Sequence, residues 1–194
     1  MDLDSTPDVT IELPQVCWKE IISHCRRKLN GKFIGDESAE KKAFGLVAGN
    51  KDDSRIIVKR CFALKKNARY QLPYSEYMDK ILAQHAIPSE TGLDKRGWVA
   101  DPQELMGVIK KCQEQALTIL GAYHMHRVAW QHDATRDTPT ELDGILAAGS
   151  RMIMFVVSMV DPVKPLMRAF YEGNIAREIP ISFIFQNNKN RAGL

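Results

Sequence analysis

The longest apolar run in the chain, residues 152–157, is only six residues long, and that brevity constrains the fold. A helix crossing a bilayer needs ~18 or more consecutive apolar residues, so no membrane span is expected. A short run rich in β-branched and aromatic side chains reads instead as a buried strand. Extended to Val160, it is the candidate central strand of a sheet.

Around it, strand and helix patterns alternate. Residues 43–49, interrupted by glycine, read as a second buried strand, Lys51-Asp52-Asp53-Ser54 reads as a turn, and Arg55–Leu64 follows as the antiparallel partner of a hairpin. Trp18, Ile21, Ile22, Cys25 and Leu29 share one helical face between Pro14 and Asn30-Gly31. Leu105, Val108, Ile109, Cys112 and Ala116 do the same after Asp101-Pro102, with proline in the favoured first turn. Tyr74, Met78, Ile81 and Leu82 predict a shorter helix. Thr138-Pro139-Thr140-Glu141 predicts the start of another, with Thr138 as its cap and Glu141 closing a capping box. Thr118–His126, Leu166–Tyr171 and residues 179–185 are further strands. The order predicts the α/β class: one domain over residues 13–186 with a mixed sheet, and flexible tails at 1–12 and 187–194.

Composition narrows the function classes. The 194 residues are 44% hydrophobic and 26% charged, enough for one sizeable core. The formal charge of +3 is spread over small groups such as Arg26-Arg27-Lys28 and Lys65-Lys66, without the concentrated basic face of a nucleic-acid binder. Cys17, Cys25, Cys61 and Cys112 form no C-x-x-C pair, so neither a disulfide framework nor a cysteine-rich zinc site is expected. A cytoplasmic setting fits those thiols and a start that does not resemble a signal peptide.

Chemistry concentrates in Gly121-Ala122-Tyr123-His124-Met125-His126. Alternate side chains of a strand share a face, so His124 and His126 project together. Two neutral imidazoles are good zinc ligands, and a catalytic zinc site adds a third protein ligand while leaving a position for water. Asp137, Glu141 and Asp143 are the nearby carboxylates: Asp137 just before the expected cap, Glu141 in the first helical turn and Asp143 beyond it. Trp130 and His132 lie in the intervening loop, where His132 is an extra ligand, a proton shuttle or simply a solvated side chain.

In this order of strand, paired histidines and acid-bearing helix start, the chain resembles the JAB/MPN family over roughly residues 16–185. Active members carry the JAMM metalloprotease motif, an upstream Glu followed by H-x-H-x7-S-x2-D. Strict counting from His126 puts the carboxylate at Asp137 and Ala134 in the serine position. With a few residues inserted, Thr138-Pro139-Thr140-Glu141 matches the S-x-x-D helix start instead. Leu142, Ile145 and Leu146 would then form a buried face, which favours Glu141 over Asp137. Lys42 stands where active relatives carry the upstream Glu, with Glu40 two residues earlier on the same expected strand face. Met125 and Arg127 replace the Ser and Pro of the family's H-S-H-P.

The resemblance implies a single JAB/MPN-like domain whose curved, mixed β-sheet is flanked by helices. Residues 70–97 are then an insertion, serving as a lid, a partner-binding helix or a surface decoration. It also implies a Zn2+-dependent peptidase or isopeptidase acting next to the C-terminus of a ubiquitin-like protein. His124, His126 and Glu141 or Asp137 would hold the metal, Glu40 would act as base, and Thr138 would donate to the developing oxyanion. Lys42 and Met125 point to an alternative, a non-catalytic MPN-like binding or scaffold module. A third reading is a hydrolase of a small amide.

Overall fold

The computed structural model describes residues 9–52, 54–87 and 92–185. Residues 1–8 of the tail expected at 1–12 and all of the tail expected at 187–194 lie outside these residues, as do Asp53 of the expected turn and positions 88–91 of the expected insertion. Period-two alternation begins earlier than expected. Val9, Ile11 and Leu13 all point into the core, and Thr10–Pro14 forms β1. Residues 10–12 therefore belong to the sheet and not to a flexible tail. β1 lies parallel to both β3 (Arg55–Leu64) and β8 (Ile181–Ile184), so it is an interior strand. Pro14 ends it and stands at the N-terminus of α1 (Gln15–Leu29), which buries Cys17, Ile21, Ile22 and Cys25 as the apolar spacing requires.

The remaining strands are β2 (Phe44–Lys51), β4 (Thr118–His126), β5 (Ile153–Ser158), β6 (Leu166–Tyr171) and β7 (Glu178–Ile179). All eight join one mixed sheet in the order β7-β6-β5-β4-β2-β3-β1-β8. β4 and β5 run parallel, with Gly121 opposite Ile153. A Cβ at Gly121 would stand 1.9 Å from the Ile153 carbonyl oxygen, so this pair of strands closes only because position 121 has no side chain.

Each face of the sheet carries its own core. One combines α1 with Val47, Tyr123, Met125, Phe155 and Val157. The other gathers Leu46, Leu64 and Trp98 under Val108 and Cys112 of α3 (Pro102–Glu114), whose Asp101 cap accepts from Glu104 N–H. The expected insertion holds α2 (Tyr74–His85), which buries Met78 and Leu82. Buried Arg69 ties this segment down: it donates to the carbonyls of Arg96 and Ser75 and pairs with the Asp79 carboxylate. α4 (Glu141–Ala147) completes the fold. No described helix is long and apolar enough to cross a membrane.

Candidate metal centre

Alternation along β4 sends Tyr123 and Met125 into the α1 core and turns His124 and His126 to the opposite face. Met125 thus fills a packing position, which accounts for an apolar residue between the two histidines. Opposite His124 on β2 is Phe44, whose ring stacks on the imidazole at 5.5 Å and on Trp98 at 4.9 Å. His126 Nδ1 donates to the Arg136 carbonyl at 3.0 Å, which leaves its Nε2 with a free lone pair.

The two Nε2 atoms lie 3.0 Å apart. Asp143 completes the group, with Oδ1 at 3.7 Å from His124 Nε2 and Oδ2 at 3.6 Å from His126 Nε2. Tetrahedral zinc with bonds of ~2.0–2.1 Å separates its ligand atoms by about 3.3 Å, which the observed spacings bracket. The donor set fits that ion: two imidazole nitrogens and one carboxylate oxygen, all within 4.8 Å of one another. Two lone pairs brought this close repel unless a proton or a cation sits between them.

Asp143 is held by the helix that carries it. Thr140, the cap of α4, donates its N–H and its hydroxyl to Asp143 Oδ2, each at 2.8 Å, and its Oγ1 accepts from Asp143 N–H at 3.1 Å. One carboxylate therefore closes the capping box and faces both imidazoles. Burial alone would raise its pKa. The facing His124 and His126 and the Thr140 N–H outweigh that and hold it below the usual carboxylate range. Burial depresses His124 to about 4 despite the Asp143 charge, so its imidazole is neutral, the form that ligates metal, at neutral pH.

The other residues expected at the centre lie elsewhere. Glu141 is 73% exposed and pairs with His85 Nδ1 at 3.2 Å. Asp137 accepts from the Thr135 hydroxyl at 2.8 Å and faces Arg168 at 3.8 Å. Thr138 donates to Asp133 at 3.4 Å and does not cap the helix. His132 packs near Trp130, with ring centroids 5.4 Å apart, outside the metal group. The helix begins two residues later than expected because Thr138-x-x-Glu141 and Thr140-x-x-Asp143 both satisfy the capping rule. The loop before it is tied to the sheet by His126 on the Arg136 carbonyl and by Ser158 on the Thr135 carbonyl, which selects the second frame. That frame was visible in the sequence as a threonine followed three residues later by an aspartate.

Glu40 precedes β2 in irregular chain, so the expectation that it shares a strand face with Lys42 does not hold. Its carboxylate accepts from Lys42 Nζ at 2.7 Å, Asn67 Nδ2 at 2.8 Å and the Tyr70 hydroxyl at 2.8 Å. Burial would raise its pKa, but these three donors hold it below the ordinary range.

His124, His126 and Asp143 line an open cleft of about 490 Å³. Phe44, Trp98, Met152 and Met154 give it an apolar lining, and Leu82, His85 and Ile87 form one wall, so the segment expected as an insertion shapes the site. Among the described lining residues Asp143 is the only carboxylate, against Lys42, Lys95, Arg96, Arg127 and Arg136. A second group, Cys17, Glu20 and Cys61, also brings three ligand-type atoms within 4.8 Å, a pairing the absence of a C-x-x-C motif concealed.

No family model matches the chain, and no curated protein is detectably similar to it. Among solved structures, the solution structure of a protein from Salinibacter ruber matches 94% of this chain and 95% of its own at 14% identity, with a TM-score of 0.49. That of a protein from Desulfitobacterium hafniense matches 93% of this chain and 97% of its own at 20% identity, with a TM-score of 0.60. The likeness to the Desulfitobacterium protein shows that the mixed α/β arrangement recurs over nearly the whole length of another protein.

Proposed function

We propose that the chain is a zinc-dependent hydrolase of amide bonds, a JAB/MPN-like metallopeptidase or isopeptidase whose substrate is the C-terminal segment of a ubiquitin-like protein. The observation that carries this reading is the convergence of His124, His126 and Asp143, at zinc-ligand spacing, on the wall of an open cleft. Zinc in such a site supplies Lewis acidity toward a carbonyl and lowers the pKa of water. The Arg136 carbonyl orients His126, and Thr140 orients Asp143. Phe44 and Trp98 give the cleft an apolar wall beside these residues, against which an apolar part of a substrate can pack. At the position where a base is wanted, Lys42 presents a donor that is already engaged with Glu40 and the Gly97 carbonyl. His85 also lines the cleft, with Nδ1 3.2 Å from Glu141 Oε1.

The Lys42–Glu40 pair also favours a second reading, a metal-binding MPN-like module that recognises a partner without turnover. Metal analysis of the purified protein, beside hydrolysis of ubiquitin-like fusions and peptide amides, separates the two. The first reading expects about one zinc per chain, with zinc and turnover lost together in His124→Ala. Zinc retained with no turnover of any such substrate moves the assignment to the binding module. A wild-type protein that takes up no zinc sinks both.

A further inference from the structure

Arg136 is placed where an arginine is costly. Its side chain is 9% exposed, it lines the metal cleft, and its Nε has no hydrogen-bond partner among the described residues. A buried charged donor without an acceptor is strongly unfavourable, and proteins rarely keep one without a use. Its ion-pair partner, Asp133, stands 3.7 Å from Nη1 and is otherwise engaged. Asp133 takes the Arg136 N–H at 2.7 Å and the Thr135 and Thr138 hydroxyls at 3.4 Å each. The guanidinium rests over the Trp130 ring, 3.3 Å from its centroid. Its backbone has φ +50°, a left-handed conformation that side-chain-bearing residues seldom adopt. The same bent residue gives its carbonyl to His126 and is among the residues that line the cleft. A second donor without a partner among the described residues is Nε1 of Trp98, a residue that also lines the cleft.

Resting on the reading of this cleft as a metal-centred amidase, we propose that Arg136 receives a carboxylate of the substrate. The favoured substrates are then amides whose amine half ends in a free carboxylate, either N-acyl amino acids or chains with one residue beyond the scissile bond. A planar guanidinium matches the two oxygens of a carboxylate. The one acid among the described lining residues, Asp143, is turned to the histidines and Thr140, so it does not compete with that anion for Arg136. Lys95 and Arg127 add to the positive field. A cleft of about 490 Å³ beside Phe44 and Trp98 holds one apolar side chain together with its carboxylate.

The test is calorimetric binding of N-acetyl-L-phenylalanine and of its primary amide to wild-type protein, Arg136→Gln and Arg136→Lys, each zinc-loaded and after EDTA treatment. Zinc content and circular dichroism are read on the same samples. Wild-type protein should bind the acid on the order of 30-fold more tightly than the amide, the discrimination one charged hydrogen-bonded contact supplies. In Arg136→Gln the ratio should fall to near one with fold and zinc content unchanged, and Arg136→Lys should lie between. Equal affinity for acid and amide in the wild type, or no binding of the acid at millimolar concentration, overturns the proposal. So does a preference that survives Arg136→Gln and vanishes with EDTA, which assigns the carboxylate to the metal. A preference that survives EDTA in the wild type and is lost in Arg136→Gln supports the arginine receptor even if zinc content fails the metal reading. Should Arg136→Gln not fold, the wild-type ratio and its drop in Arg136→Lys carry the decision.

Discussion

At the scale of single residues, the histidine pair was legible because strand alternation is local and admits one reading. The carboxylate that faces the pair was not, because two capping frames overlap at Thr138 and Thr140 and each places a carboxylate three residues on. The geometry makes a sharp prediction. Asp143→Asn lowers zinc affinity on the order of 100-fold or more, since even outer-shell losses cost 10–100-fold. Glu141→Gln and Asp137→Asn keep wild-type affinity, because neither side chain faces the imidazoles. Competition against a chromophoric chelator measures all three. Loss of zinc in Glu141→Gln with retention in Asp143→Asn would return the ligand role to Glu141.

At the scale of elements, the cap of α4 and the approach of β4 to β5 position the site. Thr140→Ala removes the cap and the hydroxyl that anchors Asp143, so it should cost about 1 kcal/mol of stability and about tenfold in zinc affinity. Thr140→Ser should restore both, as followed by urea melts and chelator competition. Affinity unchanged in Thr140→Ala would separate the cap from the metal group. Gly121→Ala places a methyl 1.9 Å from the Ile153 carbonyl oxygen, and the strands part at a cost of about 2 kcal/mol or more. Gly107, inside α3, has open space where a Cβ would stand. There Gly→Ala should instead raise stability by about 0.5–1 kcal/mol. Urea midpoints that move the same way in both variants would refute this contrast.

At the scale of the whole molecule, α1 is joined to the strand that carries the histidines through His24 Nδ1 and the Tyr123 hydroxyl, 2.7 Å apart. Burial first, then Arg27 and Lys28 acting against Glu37, depress His24 from 6.5 to about 4. The unfolded chain therefore binds this proton more readily between those values, and stability falls as pH drops from about 6.5 toward 4. The loss amounts to about 3 kcal/mol over that window. His24→Gln should flatten this part of the stability curve in urea melts at pH 7, 5.5 and 4.5. Parallel curves for the two proteins would remove His24 as the cause. The carboxylate of Asp143, depressed in the fold, adds a loss in the same direction at lower pH.

What the sequence determined by itself is local: the faces of α1 and α3, the β2–β3 hairpin and the shared face of His124 and His126, all set by periodicity and capping within a few residues. Tertiary structure decided the rest, because those outcomes depend on partners far along the chain. β1 became an interior strand only by pairing with β3 and β8. Glu40 became a saturated ion-pair partner only when Asn67 and Tyr70 reached it. Asp143 joined the histidines only because the loop carrying Arg136 is bonded to β4, and that loop's strained turn also brought an arginine into the cleft that no motif had marked.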